Sequence, residues 1–197
     1  MILLIAYITT LLYFIYLIWI SEPLFEKNKL YKIKHMPFVS IVISARNESK
    51  NITQLINSLY EQNYSKNNFE IIIANDRSTD HTLKKLTNLQ NKIDNLKIID
   101  IEKTAKGWAS KKWALNNCIK KAKGKIILQT DADCFHNQNW ILKMIEPFEE
   151  ENTGFVAGPS YIGIKNNFWN ELLKLESIAQ ESFSYANSKR QLYLSCT

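Results

Sequence analysis

Two carboxylates one residue apart, Asp131 and Asp133, close a short apolar run over residues 126–128. The run has the length and β-branched content of a buried strand in a parallel sheet. Side chains alternate along an extended backbone, so Asp131 and Asp133 point roughly the same way at the end of that strand. Like charges side by side repel, and a divalent cation lying between them and a substrate phosphate would relieve the repulsion. Hard oxygen donors of this kind suit Mg2+ or Mn2+, which keep positions open for phosphate oxygens. An acidic turn capping the next helix is the competing reading. Two further polar clusters follow apolar runs: Ala45-Arg-Asn-Glu48, and Asn75-Asp-Arg-Ser-Thr-Asp80. At the tip of its run, Asp76 is placed to accept hydrogen bonds from a nucleobase edge. Alternatively it caps a helix, a role for which Ser78, Thr79 and Asp80 compete.

Those clusters need elements to hold them. Hydrophobic patterning predicts strands over 38–44, 69–74, 96–101 and 125–130, with a fifth over 155–161. Between them it predicts helices over 49–62, 78–90, 111–122 and 140–149, then a long amphipathic helix over 167–189. The first of these carries Ile52, Leu55, Ile56 and Leu59 on one face, and the second turns Leu83, Leu86 and Leu89 inward. Strands alternating with helices imply βαβ units and a mainly parallel sheet, an α/β fold of Rossmann-like build. In such sheets ligands bind at the carboxyl ends of the strands, near the point where strand order reverses. All three polar clusters fall there. No Gly-x-Gly-x-x-Gly follows the first strand, and no Gly-x-x-x-x-Gly-Lys-Ser/Thr occurs in the sequence. A nucleotide diphosphate would therefore need a metal on Asp-x-Asp and a nearby lysine in place of a glycine cradle.

Residues 1–20 carry no charge and no helix breaker. As a helix they would extend ~30 Å, the thickness of a bilayer's hydrocarbon core. The stretch lacks the basic leader and small-residue cleavage site of a signal peptide. It reads as one uncleaved transmembrane helix, the alternative being a buried helix of the globular domain. Residues 21–36 read as a basic juxtamembrane linker with Lys27, Lys29, Lys32 and Lys34, and residues 37–197 as one domain. The positive-inside tendency places that domain on the cytoplasmic face of the cell membrane, in a bacterium the inner membrane. The net charge of +6 agrees with a domain lying against anionic lipid. Nucleic acid is not indicated, because the lysines are scattered and the arginines are only Arg46, Arg77 and Arg190. Cys118, Cys134 and Cys196 are widely spaced and odd in number, as expected of reduced thiols rather than a disulfide or zinc scaffold.

The joint pattern is more specific than its parts. Val39-Ser-Ile-Val-Ile-Ser-Ala-Arg-Asn-Glu48, Ile71-Ile-Ile-Ala-Asn-Asp-Arg-Ser-Thr-Asp-His-Thr82, Gly107-Trp-Ala-Ser-Lys-Lys-Trp-Ala-Leu-Asn116 and Thr130-Asp-Ala-Asp133 together closely resemble the family 2 glycosyltransferases. The resemblance runs from about Pro37 to the end of the chain and implies the GT-A fold of nucleotide-diphospho-sugar transferases. The third segment is similar to the membrane-anchored bacterial branch that glycosylates lipids or builds surface polysaccharide. Carried over by position, the resemblance implies that Ala45, Asn47 and Glu48 border the nucleotide and that Asp76 binds the base, most often uracil. It places Lys111 near the diphosphate, with Lys112 the adjacent alternative and Ser110 standing where the family usually has glycine. Asp131 would face ribose or sugar, and Asp133, with Asp131, would hold Mn2+ or Mg2+. Trp108 and Trp113 would stack on sugar, lie against lipid or pack in the core.

The activity implied is transfer of a sugar from a nucleotide-diphosphate donor, usually UDP-linked, to a lipid or polysaccharide acceptor. The family's general base and its arginine- and tryptophan-bearing motif belong to a later segment with no counterpart before Thr197. The chain thus resembles the amino-terminal portion of such an enzyme, or a nucleotide-sugar binding module without turnover. Glu176 and Glu181 read as the solvated face of the last helix. A metal-dependent phosphatase or nucleotidyltransferase would use the same Asp-x-Asp, although Phe135 stands where haloacid-type phosphatases want threonine.

Overall fold

The computed structural model describes residues 2–25, 31–158, 160 and 168–189. They belong to two units, one drawn from the two ends of the chain and the other formed by Tyr31–Val156. In the first unit lies α1 (Ile2–Ser21), apolar all round and followed by a single 3-10 turn at Glu22–Phe25. Leu3–Phe25 is long and apolar enough to cross a membrane. The same unit holds α6 (Phe168–Lys189), which keeps Trp169, Leu172, Leu173 and Leu175 exposed.

The second unit is built on four parallel strands, β1 (Val39–Ala45), β2 (Phe69–Asp76), β3 (Leu96–Ile101) and β4 (Ile126–Gln129). Their order is β3-β2-β1-β4, so the chain lays down three strands toward one edge and then crosses back beside β1. Strand order therefore reverses at β1, and the carboxyl end of β1 faces the crevice such a reversal opens. Pairing is continuous from Val39↔Phe69 to Ala45↔Asn75, and β1 meets β4 from Val39↔Ile126 to Val42↔Gln129.

Helices cover both faces, which explains why β1 and β2 are apolar on both sides. On one face Ile41, Ile43, Ile71 and Ile73 pack with Ile52, Leu55, Ile56 and Leu59 of α2 (Ile52–Tyr60), Leu86 of α3 (Thr82–Gln90), and Ile141 and Ile145 of α5 (Trp140–Ile145). On the other, Val42, Ile72 and Ala74 meet Ala114, Leu115 and Cys118 of α4 (Ser110–Lys121). Burial pushes the Cys118 thiol up to about 11, so it stays a neutral packing group.

Four expectations are corrected. β4 is an edge strand, with Ile127 42% exposed, because β1 is its only partner among the described strands. Helices α2 and α3 begin at Ile52 and Thr82, three and four residues later than patterning suggested, because the residues before them are consumed in loop contacts. The helix over 140–149 ends at Ile145 and continues as a 3-10 turn, Glu146–Glu149, where Pro147 has no N–H to donate. Residues 155–158 form no strand and Phe155 is exposed, while 159 and 161 lie outside the described residues. Residues 31–35 do not hang free of the unit. The Glu146 and Glu149 side chains accept hydrogen bonds from the N–H groups of Tyr31 (3.1 Å) and Lys34 (3.1 Å).

At the amino ends of the strands Glu70 is buried and fully partnered. It accepts hydrogen bonds from Ser40 Oγ (2.7 Å), from the Lys123 N–H (2.7 Å) and from Lys97 Nζ. Burial alone would raise its carboxyl, but Lys97, Ser40 and the Lys123 amide outweigh that and hold it below the ordinary 4.5. Gly124 closes the same knot, since a Cβ there would lie 2.3 Å from the Ser40 nitrogen and 2.8 Å from the Ile126 oxygen. Gly124→Ala should cost at least about 2 kcal/mol in urea unfolding, because the clash is with backbone. The depressed Glu70 carboxyl contributes stability that is present above pH 4.5 and lost as pH falls through its folded value. Glu70→Gln should therefore lower the melting temperature at pH 7, with the gap to wild type narrowing below pH 4.

Candidate functional site

The loops after β1 and β2 are stitched to each other. Asn47, at φ 58°, donates its N–H to Ser78 Oγ (3.0 Å) and accepts the Thr79 N–H on Oδ1 (2.8 Å). The Glu48 N–H donates to Thr82 Oγ1 (2.9 Å), the Ser49 N–H to Asp80 Oδ2 (3.1 Å), and Lys85 Nζ to the Ser49 carbonyl (2.6 Å). Hydrogen bonding by Thr82 foremost, and also by Ser49, holds the Asp80 carboxyl far below its ordinary range. Asp80, just before the residue that leads into α3, His81, accepts the Thr82 N–H (2.9 Å), and Asp76, six residues ahead of the helix, does not cap it.

Asp76 is 2% exposed at the tip of β2, and Arg77 Nε meets its Oδ1 at 2.8 Å. Arg77 adopts φ 53°, a left-handed conformation that costs a non-glycine residue ~1 kcal/mol or more. Its guanidinium then reaches on to Ser110 Oγ (2.8 Å), the first residue of α4. One residue further, Lys111 Nζ lies 2.8 Å from Asp131 Oδ1. A continuous series of contacts thus joins the tip of β2, the amino end of α4 and the turn after β4.

Asp131 and Asp133 are both exposed, with Ala132 buried between them. They lie on a turn beyond the end of β4, not on the strand itself. Among the described residues no third His, Cys, Asp or Glu joins them to make a closed metal cage. Two solvent-facing carboxylates fit a hard cation that takes the rest of its shell from water and phosphate oxygens. The Lys111 ammonium already offsets part of the Asp131 charge. Ala45 is wholly buried in the core, main chain included, and so is not open to a ligand in this structure; Glu48 is half-buried and accepts from the Asn51 amide (2.8 Å). Lys112 is exposed. Glu181 belongs to the other unit, where it accepts the Ser160 N–H (2.6 Å).

Three groups at this end of the sheet make contacts that their positions in the sequence do not announce. Arg77 and Ser110 are the first two, visible only once β2 and α4 are side by side. The third is His136, whose Nε2 is 2.8 Å from Thr130 Oγ1 and whose ring stacks on Trp140 at 4.0 Å. Burial pushes this imidazole down to about 4, so at neutral pH it is an uncharged brace for the turn bearing Asp131. Nearby, Asn75 Nδ2 donates to Asp100 Oδ1 (2.7 Å), while its own buried Oδ1 has no partner among the described residues.

The Glycosyl transferase family 2 profile matches residues 40–196. A beta-monoglucosyldiacylglycerol synthase of Nostoc sp. is 33% identical over 137 residues, covering 69% of this chain and 29% of its own length. The poly(ribitol-phosphate) beta-N-acetylglucosaminyltransferase TarS of Staphylococcus aureus is 28% identical over 159 residues, covering 78% of this chain and 27% of its own length. This chain thus spans less than a third of the length of these relatives. The mannosyltransferase PcManGT of Pyrobaculum calidifontis, solved with GDP-Man and Mn2+, superposes with a TM-score of 0.57 at 22% identity, over 82% of this chain and 45% of its own. That likeness establishes the fold as GT-A-like.

Replacing Arg77 separates its two contributions. Arg77→Ala loses the Asp76 and Ser110 contacts and keeps the unfavourable φ, whereas Arg77→Gly loses the contacts but relieves the backbone. Thermal unfolding should rank wild type above Arg77→Gly and Arg77→Gly above Arg77→Ala, the last two ~1 kcal/mol apart. Equal stability of the two variants would contradict the left-handed assignment.

Proposed function

Because the chain belongs to glycosyl transferase family 2, we propose that it forms the donor-binding part of a transferase. The enzyme would move a sugar from a nucleoside-diphosphate donor to a lipid or glycan acceptor at the cytoplasmic face of a membrane. The observation that carries this reading is the convergence of three motif clusters at the carboxyl ends of β1, β2 and β4. They are joined through Asn47–Ser78, Asp76–Arg77–Ser110 and Lys111–Asp131. The relatives named for glycolipid and wall-polymer products support the acceptor class.

On this reading Asp76 accepts a hydrogen bond from a base N–H. Arg77 holds one carboxylate oxygen and leaves the other for the ligand. An ionised acceptor of this kind favours uracil, whose N3 carries hydrogen, over cytosine, whose N3 does not. The exposed Asn47 and the half-buried Glu48 border the nucleoside. Lys111 exchanges its contact with Asp131 for the donor's diphosphate and frees that carboxylate toward ribose or sugar. Asp133, with Asp131, would hold Mn2+ or Mg2+, which when bound supplies Lewis-acid stabilisation of the departing diphosphate. In the reaction the acceptor oxygen bonds to the anomeric carbon as the bond from that carbon to the diphosphate oxygen breaks. The electron pair leaves on the nucleoside diphosphate, and the hydroxyl proton passes to a general base. None of the described residues is assigned that last role. Anchorage is assigned to α1, with the four lysines 27, 29, 32 and 34 on the cytoplasmic side.

Titration of UDP into the full chain in detergent, with Mn2+ and then with EDTA, tests the donor site. Binding should weaken at least ~10-fold in EDTA, and CDP should bind at least ~10-fold more weakly than UDP. Asp133→Ala should abolish the response to metal, and Asp76→Ala the preference for UDP over CDP. A folded sample that binds neither nucleotide would overturn the reading.

A further inference from the structure

The lysines, expected from the sequence to be scattered, are in fact concentrated in one stretch. Residues 102–125 hold eight lysines against the single Glu102, a net +7, whereas the rest of the chain, with 17 basic and 18 acidic residues, carries −1. All eight lysines are exposed. Lys111 is occupied by Asp131, and Lys103, Lys106, Lys112 and Lys120 are exposed along the loop before α4 and on the helix itself. With Ala114, Leu115 and Cys118 turned to the sheet, Lys112, Ile119 and Lys120 project from the opposite side of α4.

This surface is not only basic. Trp108 is 46% and Ile119 45% exposed, and Trp108 packs edge-on against Trp113 at 5.5 Å. Lys120 Nζ lies over the Trp113 ring, 5.9 Å from its centroid. Tryptophan beside lysine, with one isolated aliphatic side chain, is the chemistry that settles at the headgroup level of a bilayer. Indole is amphipathic, and a lysine can lay its stem on apolar surface while its ammonium meets phosphate. Neither a soluble globular surface nor a nucleotide site needs a net charge of +7 over 24 residues.

We infer that loop 102–109 and the outer side of α4 form a docking face for anionic lipid headgroups, with Trp108 inserted at the interface. Lys103, Lys106, Lys112 and Lys120 meet the phosphates around it. The contact is electrostatic in the main and is therefore salt-sensitive. It also has a consequence for the proposed donor site. Ser110 and Lys111 belong to the same helix, so docking keeps the proposed donor site close to the surface where a lipid acceptor resides. The inference rests on a membrane being the chain's location, while its chemistry is independent of whether α1 inserts.

The test uses the full chain reconstituted with vesicles of neutral phosphatidylcholine, or of the same lipid with 30% phosphatidylglycerol. Flotation reports association, and an amine-reactive label reports the access of each lysine. Lys103, Lys106, Lys112 and Lys120 should label at least threefold more slowly in the anionic vesicles. Lys84 and Lys92, at and beyond α3 on the other face of the sheet, should not change, and 0.5 M NaCl should erase the difference. The double variant Lys106→Glu, Lys120→Glu should lose the protection while keeping the wild-type melting temperature. Trp108→Ala should reduce it without altering its salt dependence. A chain that floats only with anionic vesicles would refute anchorage by α1 and support the docking face. Equal labelling in both vesicle types overturns the inference. So does protection by soluble polyglutamate equal to that by anionic vesicles, which would reassign the face to an acidic polymer.

Discussion

Two loops that follow neighbouring parallel strands have to end their runs without leaving buried amides unpaired. Here each loop satisfies the other. Asn47 turns through a left-handed conformation to meet Ser78 and Thr79, and Asp80 and Thr82 return the exchange to Ser49 and Glu48. This reciprocal set sets where α2 and α3 begin, which way Asp76 leaves β2, and how Arg77 reaches α4. Without it the carboxyl end of the sheet would be a row of independent loops. With it, that end is a rigid rim, and a rigid rim can hold charged side chains at fixed spacing.

The rim's charges are arranged to be incomplete. Asp76 is neutralised by Arg77 in a buried setting, where an unpaired carboxylate would be costly. Asp131 and Lys111 make an exposed pair, and such pairs contribute little to stability. A pair of that kind separates at small cost when a ligand offers each partner something better. The structure thus holds a permanent ion pair beside the proposed base and an exchangeable one beside the proposed diphosphate. The lysine-rich face of α4 continues outward from the second. Within residues 102–125 the eight lysines are set against only one acidic residue, Glu102, and of them Lys111 is paired with Asp131 from outside that stretch.

Much of the fold was legible because its signals are local. β1 and β2 read as runs rich in β-branched residues, and every residue of the two except Ser44 is buried. The apolar face of α2, Ile52, Leu55, Ile56 and Leu59, is fully buried as its spacing required. Misreadings came where local preference yielded to a partner distant in sequence. Patterning starts helices at Ser49 and Ser78, yet the Ser49 N–H and the Ser78 hydroxyl are both taken up by the opposite loop. Ile126–Leu128 looks like a central strand by composition, and its place at the edge depends on pairing, which composition does not encode.

The candidate site divides in the same way. By itself the sequence determined which residues carry chemistry, because carboxylates and lysines at strand ends are conspicuous against apolar runs. The order and spacing of four motifs also determined the family. Only the tertiary structure decided which of those groups touch. Arg77 and Ser110 are 33 positions apart and Thr130 and His136 only 6, yet neither pair is marked by spacing. Their contacts arise from the sheet order β3-β2-β1-β4 and from helix packing on both its faces. The physical reason is range: periodicity and propensity act over a few residues, whereas an ion pair or a braced imidazole depends on where whole elements come to rest.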